Sequence, residues 1–291
     1  MGTSNANKGQ KGDTPLIPSW LPSDDAPPPP DMPPEQPVGD PDAPTPPPTP
    51  PPVPPIPQPA PKERFTISRN NFSRFAASGG RDRKSLGRAL SSYVSTAAGG
   101  SRNAAQRMVA SPASGAPLLG FLSEAISDGS REALRALNLE SLAGRPIEEV
   151  FIGIMEYVCP EGGTLDEGIA RDAFIETITD LAANGITDFD ALTADQMQTI
   201  FELYATHAIE ARLCNDIGMK SITLPADAAE ALSVERQVLD FVRRAVSDAL
   251  TQARTAMQAL TPQRILSSVT RIYEQAYAIM ESMAETEAEA T

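Results

Sequence analysis

One histidine and two cysteines in 291 residues are a thin supply for catalysis or metal binding. Cys159 and Cys214 lie far apart and build no disulfide framework, which fits a reducing, cytoplasmic setting. His207 and Cys214 fall on one helix face. A Cys–His nucleophile pair and a packing histidine beside a structural thiol are the alternatives there. No ligand spacing for zinc, no P-loop and no dinucleotide fingerprint is present, so no metal and no cofactor is expected. Long apolar runs are missing. Pro117-Leu118-Leu119-Gly120-Phe121-Leu122 is far too short for a bilayer, so no membrane partner is expected. Lys8 and Lys11 lead into a turn-rich stretch and not the apolar core of a signal peptide. Met1-Gly2 opens like a myristoylation site, but Ala6 stands where Ser or Thr is needed. Strand signals are nearly absent too. Lys220-Ser221-Ile222-Thr223-Leu224-Pro225 is the one candidate, too short for a sheet, and nothing alternates as an α/β enzyme requires.

Proline is abundant, and it is concentrated. Of 29 prolines, 23 lie between residues 15 and 61. Such a segment cannot bury enough apolar surface to offset its ordering entropy, so a disordered arm over residues 1–62 is expected. In polyproline-II form, at ~3.1 Å per residue, forty residues reach on the order of 100 Å. The arm carries the chain's only tryptophan, Trp20, in Pro15-Leu16-Ile17-Pro18-Ser19-Trp20-Leu21-Pro22. A lone Trp in a disordered segment is a docking anchor, so Pro15, Leu16, Ile17, Pro18 and Trp20 are candidate partner-binding residues. Removal of Met1 before a small residue leaves Gly2 as the mature start. Its unhindered amine, with a pKa of about 7.7–8.0, is a better nucleophile near neutrality than lysine at about 10.4. Gly2 is therefore a candidate modification site, with a cleaved but inert terminus as the alternative.

Charge is uneven. Residues 1–61 carry net −5, residues 62–111 net +8 and residues 112–291 net −17. The basic block suits an anionic partner, or equally the chain's own acidic region. Arg81, Arg83, Lys84 and Arg88 are its candidate anion-binding residues. Phe65, Phe72 and Phe75 lie among its charges, as in nucleic-acid binders, although aromatics at helical spacing are more often core.

From Phe65 onward the periodicity is helical, so the fold class is all-α, a multi-helix bundle behind the proline-rich arm. Helices are expected over residues 67–77, 82–98, 102–110, 117–127 and 130–138. Another starts at Gly144-Arg145-Pro146-Ile147 and ends near Val158. Thr164-Leu165-Asp166-Glu167 and Thr193-Ala194-Asp195-Gln196 fit capping boxes that open two more. Two long helices close the chain. Leu239, Val242, Val246, Ala249, Ala253, Ala256 and Leu260 line the first; Ile265, Val269, Ile272, Ala276, Ile279 and Met283 line the second. Pro262 between them allows an αα-hairpin or one kinked helix, and the acidic tail from Ala284 is expected to fray. The expected organisation is the arm, a basic helical segment over 63–143 and an acidic one over 144–291. The loop Cys159-Pro160-Glu161-Gly162-Gly163-Thr164-Leu165-Asp166-Glu167 is the most chemically loaded spot in the folded part. It suits a cation or partner, or is simply a helix stop, turn and cap. Gly99-Gly100-Ser101-Arg102 suits a phosphate, or a C-cap followed by an N-cap.

Several stretches together resemble the QatB family of bacterial anti-phage Qat defence operons. They are Met1-Gly2-Thr3-Ser4 with the Pro15-to-Trp20 element, Arg74-Phe75-Ala76-Ala77-Ser78-Gly79, Gly144-Arg145-Pro146-Ile147-Glu148-Glu149-Val150-Phe151, and Gly162-Gly163-Thr164-Leu165-Asp166-Glu167-Gly168-Ile169-Ala170-Arg171-Asp172-Ala173. The resemblance implies an operon with an ATPase (QatA), a QueC-like enzyme (QatC) and a TatD-like nuclease (QatD). It supplies no catalytic residue for this chain. QueC-like enzymes use ATP to activate a carboxyl-deazaguanine for attack by an amine. The resemblance therefore implies a non-enzymatic partner whose Gly2 is modified. The alternative is a nucleic-acid-binding adaptor that uses the basic helices.

Overall fold

The computed structural model describes residues 64–218, 222–257 and 262–290. Gly2, Pro15, Leu16, Ile17, Pro18 and Trp20 lie outside the described residues. Helix α1 (Thr66–Ala77) leads to α2 (Arg83–Ser92), which Asp82 caps by accepting the Ser85 N–H at 3.0 Å. A π-helical turn, Tyr93–Ala97, extends α2. Next come α3 (Ser101–Gln106), α4 (Ala110–Ser127), α5 (Ser130–Ala136) and α6 (Ile147–Val158). Both capping boxes form: Thr164 with Glu167 opens α7 (Leu165–Leu181), and Thr193 with Gln196 opens α8 (Ala194–Ile217). Helices α9 (Ala228–Met257) and α10 (Pro262–Glu289) pack against each other, so they form a hairpin and not one kinked helix. The described residues contain no strand, only an isolated bridge between Pro146 and Asp188. The all-α expectation holds. Lys220 and Ser221 lie outside the described residues, and residues 222–225 are irregular. Among the described residues no helix is long and apolar enough to cross a membrane.

Helix α10 lies against α2, α3, α4 and α9, while α8 packs on α4, α7 and α9. The core is continuous. Leu86 and Leu90 from the basic segment sit in the same cluster as Phe174, Tyr204, Ala276 and Met280 from the acidic one. Stacked rings strengthen it: Phe151 on Phe174 at 5.6 Å and Phe121 on Phe189 at 5.2 Å.

Two helices differ from expectation for identifiable reasons. Helix α4 begins at Ala110, well before Pro117. Pro112 sits in its first turn, where no N–H is missed, and the Asp166 carboxylate accepts the Ala110 N–H at 2.6 Å. Pro117 then forgoes one internal hydrogen bond without ending the helix. The buried stripe of α10 is wider than a two-stranded seam. Tyr273, Tyr277, Met280 and Ala284 are buried beside Val269, Ile272 and Ala276, because the helix meets four neighbours. For the same reason its acidic end does not fray: α10 continues to Glu289, and Glu287 meets Arg83 at 2.6 Å.

The α2–α10 crossing depends on Gly87. A Cβ there would stand 2.6 Å from both the Ala284 carbonyl oxygen and the Ala288 nitrogen. Backbone atoms cannot yield as a flexible side chain does. Gly87→Ala is expected to lower stability by about 1–3 kcal/mol. Gly168 in α7 has open space around its would-be Cβ, so Gly168→Ala should instead add about 0.5–1 kcal/mol. Thermal melts of the two variants give opposite signs if the close crossing is real.

Candidate functional site

The α3–α4 junction, the end of α6, the start of α7 and the α8 face enclose a cleft of about 690 Å³. One wall is apolar: Val109, Ala113, Pro117 and Tyr157. Val109 is 72% exposed and Tyr157 46%, high values for large apolar side chains. The polar lining includes Arg107 and Arg212 and, from the loop, Glu161, Thr164, Asp166 and Glu167.

Beneath the cleft lies a knot of charges. Asp216 Oδ2 accepts from Tyr93 Oη at 3.0 Å, Arg107 Nη2 at 2.9 Å and Arg212 Nε at 3.2 Å. Arg212 Nη1 also reaches Asp166 at 3.4 Å. The Asp216 side chain is 7% exposed and that of Arg212 12%. Burial works against the Arg212 charge, but Asp216, Tyr93 and Asp166 outweigh it and hold the pKa above its ordinary value. The guanidinium carbons of Arg64 and Arg107 lie 4.8 and 5.3 Å from the centre of the Phe65 ring. Burial, then the Arg107 charge, lowers the Arg64 pKa. Arg107 Nη1, Arg64 Nε and Arg64 Nη2 are buried with no acceptor among the described residues.

The 159–167 loop is a stop, a turn and a cap. Cys159 is buried, and its thiol, pushed up by burial, faces the Ala170 carbonyl at 3.6 Å. Arg171 ties the loop down through the Cys159 carbonyl at 2.8 Å and Glu156 at 2.6 Å. A side chain at Gly162 would collide with the Glu167 carboxylate, whose pKa the Thr164 N–H and hydroxyl lower. At the second glycine pair, α3 begins after Gly100, and Arg102 meets Glu274 at 3.2 Å.

Two of the four basic candidates are engaged within the fold. Arg81 pairs with Glu230 at 3.1 Å, and Arg83 with Glu287 and with Gln237 at 3.1 Å. Lys84 and Arg88 are exposed. Phe72 and Phe75 are fully buried, so those aromatics serve the core. His207 and Cys214 do share a face of α8. They line an acidic hollow with Asp172, Glu176, Asp180, Glu210 and Glu235. His207 Nε2 bonds Asp180 at 3.0 Å. Burial, then Glu210 and Glu235, pushes the Cys214 thiol up to about 12, the opposite of an activated nucleophile.

The charge knot was not anticipated from sequence. Arg212 and Asp216 at i,i+4 were its one local signal; Tyr93, Arg107 and Asp166 reach it only through the fold.

The acidic hollow predicts a pH dependence. Burial, then Glu235 and Glu176, pushes Glu210 up to about 7. A raised carboxyl favours the protonated folded state, so its contribution is lost as pH rises from the ordinary glutamate range through 7. Glu210→Gln should raise the melting temperature at pH 8, and the gain should shrink toward pH 5.

No curated protein and no solved structure matches the chain. The family model for the Qat anti-phage system associated protein QatB does, over residues 99–280. That stretch takes in Arg107, the 159–167 loop, Arg212 and Asp216, and with them the whole cleft. It covers more than half the sequence, so this chain belongs to the QatB family of proteins associated with the Qat anti-phage system.

Proposed function

We propose that this anti-phage component acts as a partner protein and not as an enzyme, and that its Gly2 is the substrate of a QueC-like enzyme, QatC. The observation that carries the reading is the pairing of a Met1-Gly2 start with a docking element and a proline tether in one arm. The free Gly2 amine attacks the ATP-activated carboxyl of a deazaguanine-type acid. An amide bond forms, AMP leaves and the amine gives up a proton. Pro15, Leu16, Ile17, Pro18 and Trp20 dock first, with Trp20 as anchor. The helical body recruits the ATPase QatA or the nuclease QatD. The raised thiol pKa values of Cys159 and Cys214, with His207 engaged by Asp180, support a body without nucleophilic chemistry.

The second reading, a nucleic-acid-binding adaptor, draws on the exposed Lys84 and Arg88. The internal pairing of Arg81 and Arg83 weighs against it.

Intact mass of the protein made with and without its operon neighbours tests the first reading. A mass increment at Gly2 is expected only with them. Gly2→Pro makes the nucleophile a hindered ring amine, and Trp20→Ala removes ~2–4 kcal/mol of docking. Both variants should melt like the unaltered chain, lack the increment and fail to protect cells. A Gly2→Pro protein that defends normally refutes the substrate role. Arg81→Glu with Lys84→Glu tests the second reading. It should lower thermal stability or partner binding more than DNA affinity. DNA binding below micromolar at physiological salt, with a steep salt slope lost in that variant, would establish the adaptor instead.

A further inference from the structure

The cleft has a feature that folding alone does not account for. Buried donors in proteins are nearly always satisfied, and each exception calls for an explanation, a bound water or ion among them. One donor on a lining residue, Arg107 Nη1, goes unsatisfied here, and Arg64, which does not itself line the cleft, carries two more, Nε and Nη2. Nε and Nη2 form one edge of a guanidinium, the pair that grips a carboxylate or phosphate side-on. The nearby carboxylates do not fill the deficit. Asp216 Oδ2 already takes three donors. Asp166 is engaged by the Ala110 N–H and Arg212. Glu167 is held in its capping box by Thr164. Glu161 also lines the cleft and accepts from none of these donors.

Arg107 belongs both to the knot and to the cleft lining. Beside it rise Val109, Ala113, Pro117 and Tyr157, apolar groups that the fold leaves uncovered. The cleft volume, about 690 Å³, falls within the range of small-molecule sites. We propose that the cleft binds a small molecule carrying an oxyanion, carboxylate or phosphate, on an apolar or aromatic body. Arg107 meets the oxyanion, with Arg64 behind it as the second cation. Val109, Pro117 and Tyr157 pack the body. This site is independent of Gly2 chemistry and needs no operon partner to be tested.

Phenyl phosphate is the probe, titrated calorimetrically into the full chain, with benzoate, inorganic phosphate and benzyl alcohol in parallel. Saturable binding of one phenyl phosphate per chain is expected, with a rise in melting temperature. Benzoate should bind if the oxyanion is a carboxylate, and tighter binding than phenyl phosphate names that source. Inorganic phosphate and benzyl alcohol should each bind about tenfold more weakly, since each lacks half of the ligand. Arg107→Lys keeps a cation beside Asp216 but loses the planar fork, and should weaken binding about tenfold. Arg64→Gln should weaken it too, and its side chain pairs with no carboxylate that the fold needs. Val109→Ser, at an exposed position, should weaken phenyl phosphate while leaving inorganic phosphate unchanged. Lys84→Gln, on the exposed basic face, should change nothing. Three outcomes overturn the proposal. One is the absence of saturable binding by either aromatic anion. Another is inorganic phosphate binding as tightly as phenyl phosphate. The third is a loss in Lys84→Gln equal to that in Arg107→Lys or Arg64→Gln.

Discussion

Asp216 is a carboxylate that this fold cannot leave unpaired. It is almost wholly withdrawn from water, and three donors from three parts of the chain converge on one of its oxygens. Tyr93 comes from the π-helical turn, Arg107 from the end of α3, and Arg212 from one turn earlier on α8 itself. Breaking such a pair from one side costs about 3–5 kcal/mol, because a bare charge stays behind. The three elements must therefore arrive together. Arg212 passes the constraint on to Asp166, and Asp166 to the first N–H of α4. In this way one buried carboxylate sets where α4 starts and where the cleft opens.

Helix α10 imposes the complementary, apolar constraint. It is wrapped by α2, α3, α4 and α9, so nearly every turn has one residue in the core. Its tyrosines lie in that core, with the Tyr277 hydroxyl against the Met108 sulfur. Where α2 crosses, the backbones come too close for any side chain, and glycine is the only residue that fits. The net-basic segment thus meets the net-acidic one twice, by close packing at Gly87 and by ion pairs at its rim. Most rim pairs are exposed and contribute little energy, so the packing decides the arrangement.

The legible parts of the sequence were the local ones. Thr164 and Glu167, or Thr193 and Gln196, are three residues apart, and nothing distant can change what they do. Helix spans followed from periodicity for the same reason. The start of α4 was hidden because its cap comes from Asp166, 56 residues away. The width of the α10 stripe is not legible in the sequence, because spacing shows that a face is buried, not how many neighbours bury it. The 159–167 loop is a helix stop, a turn and a cap, while the ion pairs beside it rest on Arg107 and Arg212. An arginine's partners cannot be read from its own neighbours in sequence.

Phe65, one residue before the first helix, is the point where arm and body meet along the chain. Its ring stacks on Tyr93 at 5.8 Å and carries a guanidinium from Arg64 and another from Arg107. A pull on the preceding chain therefore does not simply peel α1 open from its first hydrogen bond. It loads an aromatic plug that must be dragged past two cations and a tyrosine. A disturbance at Phe65 is therefore felt at Tyr93 and Arg107, and through them at the charge knot beside the cleft.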